Sequence, residues 1–134
     1  DVQYLIVGGY AIAFHSRPRF TDDIDIWIKA SQENAVNVLH VLESFGFPTE
    51  GITPDDLSTH EKILQLGLPP QRIDILTSID GVDFPDAWNN RIDGRFADIP
   101  VFILSLEDLM KNKIASARDK DLADLQWIKK YSGK

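Results

Sequence analysis

The alternation of polar and apolar residues in segment 21–29 limits the possible folds of this chain more than any other feature. In an extended strand, alternate residues share a face, which separates Ile24, Ile26 and Ile28 from Asp23, Asp25 and Trp27. Two carboxylates on one face repel each other and are costly to bury. We therefore expect the isoleucine face to pack on helices and the aspartate face to open to a cleft.

A pair of glycines precedes this strand. Residues 2–7 are nearly all apolar and predict a central strand, which Gly8 and Gly9 end, and residues 10–16 predict a short helix. Backbone N–H groups at the start of a helix bind anions, so the pair suggests a phosphate nearby. A plain tight turn is the alternative, and the segment is not a P-loop because no Gly-Lys-Ser/Thr follows.

The remaining chain predicts helices interleaved with short strands. Ser31 is expected to cap the first long helix, and Ser105 with Asp108 resembles a capping box. The predicted helices are 32–45, 84–92, 105–117 and 120–131, and the predicted strands are 62–68, 72–78 and 99–104, the last edge-like because of Pro100. This order predicts an α/β (α+β) domain with a mixed sheet of about five strands and helices mainly on one face. We expect a core at 1–104 and a helical pair at 105–134 packed on it.

A third acid lies on the second strand of the predicted hairpin. Asp74 shares a face with Arg72 and Leu76, opposite two isoleucines. If this strand neighbours that of Asp23 and Asp25, three carboxylates converge, and clustered charges of one sign favour a bound cation. Carboxylate oxygens suit Mg²⁺ or Mn²⁺, and a pair of such ions can clamp the oxygens of a phosphoryl or nucleotidyl transfer. The alternative for each acid is a solvated strand residue.

Charge and composition narrow the function classes. The 134 residues carry a net charge of −7, yet residues 111–134 hold seven basic and three acidic side chains. The acidic body argues against broad nucleic-acid binding, while the basic end is either a local phosphate contact or a solvated helix face. The absence of cysteine excludes disulfides and thiolate metal sites. Without a leader or a membrane span we expect a cytoplasmic protein, and the start at Asp1 leaves open a missing natural N-terminus.

Together these residues resemble the nucleotidyltransferase (DNA polymerase β-like) superfamily. The resemblance rests on Gly8-Gly9, the run Arg19-x-Thr21-x-Asp23-x-Asp25 and the later strand with Asp74. Residues 113–125 are similar to the tail of the branch that includes abortive-infection nucleotidyltransferase toxins and uncharacterised relatives. The chain departs from another branch of the superfamily, whose members pair with small helical ribonucleases, because Gly-Gly and Tyr10 stand where that branch has Gly-Ser with an arginine soon after.

The resemblance implies a minimal nucleotidyltransferase fold and a role for each site residue. Asp23, Asp25 and Asp74 would ligate two Mg²⁺ or Mn²⁺ ions, and Asp74 would also accept a proton from the acceptor hydroxyl. The triphosphate of the NTP substrate would contact a set of glycines and basic residues, namely Gly8, Gly9, Arg19, Lys113 and Lys120. For Lys113 an exposed helix position is an equal alternative.

The implied reaction transfers NMP from an NTP to a hydroxyl acceptor and releases pyrophosphate. RNA (for example tRNA) or protein is the expected acceptor, and a protein partner in a toxin–antitoxin pair is possible. The first alternative is a small-molecule (antibiotic) adenylyltransferase. The acidic body favours it by attracting cationic acceptors, whereas the lack of a large acceptor domain disfavours it. The second is a non-catalytic nucleotide-binding or antitoxin-like partner.

Overall fold

The computed structural model describes residues 2–18, 23–68, 71–96 and 98–132. The strands are β1 Tyr4–Val7, β2 Asp23–Ile28, β3 Ile63–Leu68, β4 Gln71–Leu76, β5 Ile92–Phe96 and β6 Ile99–Ile103. The helices are α1 Gly8–His15, α2 Gln32–Ser44, α3 Phe84–Asn89, α4 Leu106–Ser116 and α5 Asp119–Tyr131. Among the described residues, no helix combines the length and apolar character that crossing a membrane requires.

One mixed sheet organises the molecule, in the strand order β3-β4-β2-β1-β6-β5. β2 pairs with β4 and β1 with β6 in parallel, and the other neighbours are antiparallel. The predicted α/β (α+β) class with a mixed sheet is confirmed. The sheet has six strands rather than about five, because the segment of β5 was not recognised as a strand.

Two boundaries differ from the prediction at this end of the sheet. The helix expected to reach Ile92 ends at Asn89, and Ile92 begins β5 instead. β6 was expected at an edge because of Pro100, but it lies between β1 and β5. Pro100 is accommodated because β6 pairs with β1 at Ile103, at the far end of the strand, so the missing N–H of Pro100 removes no hydrogen bond to β1.

Serine caps fix the starts of two helices, as the sequence predicts. The Ser31 hydroxyl accepts a hydrogen bond of 3.2 Å from the backbone N–H of Asn34. The Ser105 hydroxyl accepts a 3.2 Å bond from the N–H of Asp108 in the same way. Such bonds satisfy donors that have no partner within the first helical turn. Helices α2 and α4 therefore begin where the prediction placed them.

Helices cover the sheet unequally. The larger apolar cluster joins β1 to α1, α3, α4 and α5 and includes the fully buried Leu109 and Ile128. On the other face, α2 packs Ala35, Val38 and Leu42 against a second cluster, together with Ile28. The expected arrangement with helices mainly on one face is confirmed.

The two faces of β2 follow the predicted division only in part. Ile26 and Ile28 belong with the cluster under α2, but Ile24 packs against the larger cluster. Trp27, on the aspartate face, is 2% exposed and meets the Phe84 ring edge-on at 5.0 Å. Trp27 is thus a core residue, and the aspartate face is open only at Asp23 and Asp25, which are both half-buried.

Candidate active site

The pairing of β2 with β4 brings the three predicted acids to one side of the sheet. The strands run parallel, with Asp25 opposite Asp74 and Asp23 opposite Arg72. Residues paired in register on neighbouring strands point to the same face. The adjacency that a shared carboxylate site requires is therefore present, since the alternation in both strands places Asp23, Asp25 and Asp74 on this face.

Gly8 lies against Asp25. The antiparallel pairing of β1 with β2 sets Val7 opposite Asp25, and α1 begins with the next residue, Gly8. Gly8 has a φ of +66°, and a Cβ built there would lie 2.1 Å from Oδ2 of Asp25. Both the left-handed backbone and the lack of space demand glycine. The Asp25 carboxylate thus reaches the start of α1 only because Gly8 has no side chain, a constraint that the sequence did not reveal.

Burial and two neighbouring carboxylates oppose the ionisation of Asp25. Burial is the main cause that raises the pKa of Asp25 above its ordinary value of 3.8, and the charges of Asp74 and Asp23 raise it further. Lys120 and Lys113 act in the opposite direction. The site therefore carries excess negative charge, and Lys113 and Lys120 are close enough to Asp25 to offset part of it.

Arg72 links the other two acids. Its Nε donates to Oδ1 of Asp74 at 2.9 Å, and its Nη2 donates to Oδ2 of Asp74 at 3.3 Å and to Oδ2 of Asp23 at 3.0 Å. The side chains of Arg72, Asp23 and Asp74 are 28%, 35% and 13% exposed. Asp25 lies outside both ion pairs. One guanidinium thus neutralises part of the charge of the cluster.

The carboxylates suit a divalent ion by their chemistry, since oxygen donors at a site of excess negative charge are what Mg²⁺ and Mn²⁺ bind. Their present arrangement is not that of a formed metal site. Within the described ranges, no group of three or more acidic, histidine or cysteine side chains is placed to hold a metal ion. Arg72 occupies the position between Asp23 and Asp74.

Lys113 belongs to a buried ion network rather than to an exposed helix face. Its Nζ lies 3.3 Å from Oδ1 of Asp121 and 3.3 Å from Oδ2 of Asp124, and its side chain is 7% exposed. Arg118 also binds Asp121, with Nε 2.7 Å from Oδ2. The hydrogen bonds from Arg118 are the main reason that the pKa of Asp121 lies well below its usual range. The network ties α4 to the start of α5.

A cleft of about 340 Å³ adjoins Asp25 and the ion network. Its lining includes glycine, acidic, polar and basic groups: Gly8, Asp25, Ser78, Asn112, Lys113 and Arg118. Lys120 is exposed and acts electrostatically on Asp25. Arg19 lies outside the described residues. The cleft therefore joins the start of α1, one of the acids and the basic C-terminal helices.

Four charged residues of the site escaped the sequence reasoning as functional groups. The sequence did contain a signal for Arg72, because alternate residues of a strand share a face and Arg72 stands two residues before Asp74. Asp124 had none, since its contact with Lys113 depends on how α4 meets α5. Arg118 had a local signal, because Asp121 lies three residues later in the first turn of the same helix. Asp121 accepts a 3.1 Å hydrogen bond from the backbone N–H of Arg118, at the start of α5.

Two solved structures are similar to the fold of this chain. The crystal structure of the lincosamide antibiotic adenylyltransferase LnuA with lincomycin bound matches with a TM-score of 0.57 and 17% identity, over 96% of this chain and 86% of that one. TM1012 of Thermotoga maritima, assigned as a nucleotidyltransferase, matches with a TM-score of 0.63 and 16% identity, over 97% and 84%. At such identities the likeness establishes the fold alone. No match was found among curated proteins.

The family is established by the sequence itself. Residues 1–130 match the family described as "Nucleotidyltransferase of unknown function (DUF6036)". The match spans all the elements described above, from β1 to nearly the end of α5. With three carboxylates on paired strands beside a glycine-initiated helix, the chain belongs to this nucleotidyltransferase family.

Proposed function

We propose that this protein transfers NMP from an NTP to a hydroxyl group in a reaction that depends on divalent ions. The observation that carries the proposal is the register of Asp25 with Asp74 on neighbouring strands, with Gly8 against Asp25 and a cleft beside them. In the reaction, the acceptor oxygen forms a bond to the α-phosphorus and the bond from that phosphorus to the pyrophosphate oxygen breaks. The acceptor hydroxyl loses its proton, and pyrophosphate leaves.

Asp23, Asp25 and Asp74 are the proposed ligands of two Mg²⁺ or Mn²⁺ ions. When bound, such ions neutralise charge on the phosphates and on the attacking oxygen. Asp74 is less exposed than Asp23, the other acid that pairs with Arg72. We assign to Asp74 the proton that the acceptor hydroxyl loses. By holding the ions, the carboxylates would position the reacting groups, and the ions would offset the negative charge that develops in the transfer.

The triphosphate would lie in the cleft. Gly8 and Gly9 open α1, whose first N–H groups have no helical acceptor and favour an anion. Lys113 lines the cleft and is held by its two aspartate partners, while Lys120 provides an exposed positive charge nearby. We keep Arg19 as a proposed triphosphate contact on sequence grounds alone. Membership of the superfamily's abortive-infection toxin branch, and with it a toxin–antitoxin partner, remains a further prediction.

RNA, such as tRNA, or protein is the acceptor that we propose. The cleft beside Asp25 has a volume of about 340 Å³ and is assigned here to the triphosphate, so the acceptor would bring most of its own binding surface. The LnuA structure carries lincomycin, so a small hydroxylated molecule is the second candidate, supported by a shared fold. The acidic surface of the chain favours a cationic small acceptor over an unassisted approach of RNA.

The test is transfer of label from each of the four NTPs, labelled at the α-phosphorus, in the presence of Mg²⁺. Whole-cell RNA, whole-cell protein and a panel of aminoglycosides and lincosamides are offered as separate acceptor pools. Label in RNA or protein supports the main proposal, and label in the drug panel alone supports the second candidate. NTP binding without transfer to any pool would leave only a nucleotide-binding role.

A further inference from the structure

Arg72 engages two of the three acids through a fork of donors. Both oxygens of Asp74 accept from it, and the same Nη2 also reaches Asp23. A guanidinium stays protonated at any pH that the protein survives, so this cation does not leave by losing its proton. Asp23 and Asp74 are thus held by a permanent internal charge.

We propose that Arg72 is a built-in competitor of the divalent ion for Asp23 and Asp74, an inference that rests on the proposed metal site. A carboxylate whose lone pairs accept hydrogen bonds from a guanidinium has to rotate, or to release the guanidinium, before the carboxylate can ligate a metal. Arg72 also cancels part of the negative charge that attracts a divalent ion. Arg72 therefore keeps the acids in place in the metal-free protein and weakens metal binding until it is displaced.

The geometry limits how strong this competition is. The side chains of Arg72 and Asp23 are 28% and 35% exposed, so water screens their ion pair and supports its exchange. Asp74 is 13% exposed and holds the bidentate contact, which makes it the acid that Arg72 restricts most. Loss of this guanidinium should tighten metal binding about tenfold, equivalent to about 1.4 kcal/mol.

The variant that tests the inference is Arg72→Met, which keeps most of the aliphatic stem and removes the charge. Mn²⁺ is titrated into nucleotide-free protein and the free ion is followed by electron paramagnetic resonance. Arg95→Met is the control, because Arg95 lies on β5 and donates to the backbone oxygen of Asp98, away from the acids. We expect the Mn²⁺ Kd to fall about tenfold in Arg72→Met and to stay unchanged in the control.

A merely structural role for Arg72 gives a different result. If Arg72 only held the acids in a shape ready for the metal, Arg72→Met would bind Mn²⁺ less tightly than wild type or not at all, and the inference would be overturned. An unchanged Kd would overturn it as well. Adding Asp74→Asn to Arg72→Met should abolish the gain, and a gain that persists would place the bound Mn²⁺ elsewhere and equally overturn it.

A second variant covers the case in which Arg72→Met does not fold in EDTA. Arg72→Lys keeps the charge but not the bidentate fork, so we expect Mn²⁺ to bind a few-fold more tightly than in wild type. Affinity equal to or below wild type would count against competition. None of these titrations requires turnover, so a failure of nucleotidyl transfer alongside the expected Mn²⁺ shifts would refute the proposed function and not the role of Arg72.

Discussion

Replacing Lys113 by methionine should cost far more stability than a lysine substitution on a helix usually does. Methionine has a similar length and fills much of the same space, so the change removes mainly the charge. In the native protein, Nζ of Lys113 lies 3.3 Å from both Asp121 and Asp124, whose side chains are 0% and 5% exposed. The substitution therefore leaves buried carboxylates without their shared cation.

The magnitude follows from what remains around each carboxylate. Removing one partner of a buried ion pair typically costs about 3–5 kcal/mol, because the other charge stays buried. Both Asp121 and Asp124 lose the Lys113 ammonium 3.3 Å away, but Asp121 keeps Arg118, which binds it through Nε at 2.7 Å. We therefore expect a loss near the lower end, about 3 kcal/mol, out of a total stability of about 5–15 kcal/mol.

The assay is urea unfolding followed by circular dichroism, with the free energy of unfolding extrapolated to water. Lys129→Met, at an exposed position of α5, is the control and should change stability by less than about 0.5 kcal/mol. Adding Asp124→Asn to Lys113→Met should recover at least half of the loss, because it removes the buried charge. A loss for Lys113→Met within error of that for Lys129→Met would refute the buried-network account.

Two further predictions concern Gly8 and Asp25. Gly8→Ala should abolish nucleotidyl transfer by displacing the Asp25 carboxylate. Gly46→Ala is the control, because Gly46 also has a positive φ but no atom lies within 4 Å of the added Cβ, and it should lose only about 1 kcal/mol of stability. Equal activity in both variants would contradict this prediction. Asp25→Asn should be more stable than wild type at pH 7 in EDTA. The raised native pKa of Asp25 means that the folded state binds the proton more tightly than the unfolded chain does. The wild type therefore loses stability as the pH rises through the native pKa. Urea unfolding should show this difference shrinking towards pH 3, where Asp25 is protonated in both states, and the exposed Asp93→Asn should show no such gain; a destabilised Asp25→Asn at pH 7 would contradict the electrostatic account.

Local periodicity accounts for the parts of the fold that the sequence predicted well. The alternation in β2 and β4 placed Asp23, Asp25, Arg72 and Asp74 on one face before their strands were known to pair. Serine caps located the starts of α2 and α4 for a similarly local reason. These features depend on residues within one element, so no knowledge of the tertiary structure is needed.

The features that escaped prediction depend on contacts between distant segments. β5 carries Asp93, Gly94 and Arg95 and is largely exposed, so it lacks an apolar pattern and exists through its pairing with β6. The closeness of Gly8 to Asp25 follows from the register of β1 with β2. The burial of Lys113 follows from the packing of α4 on α5, which a helical pattern with exposed lysines does not distinguish from a solvated face.

The central claim is that the carboxylate site transfers a nucleotidyl group, and a paired-label experiment tests it most directly. Each NTP is supplied with Mg²⁺, once labelled at the α-phosphorus and once at the γ-phosphorus, to wild type and to Asp74→Asn. We predict that wild type incorporates the α-label into an acceptor and releases the γ-label as pyrophosphate, and that Asp74→Asn, still folded by circular dichroism, does neither. Equal incorporation by Asp74→Asn, or incorporation of the γ-label, would contradict the account.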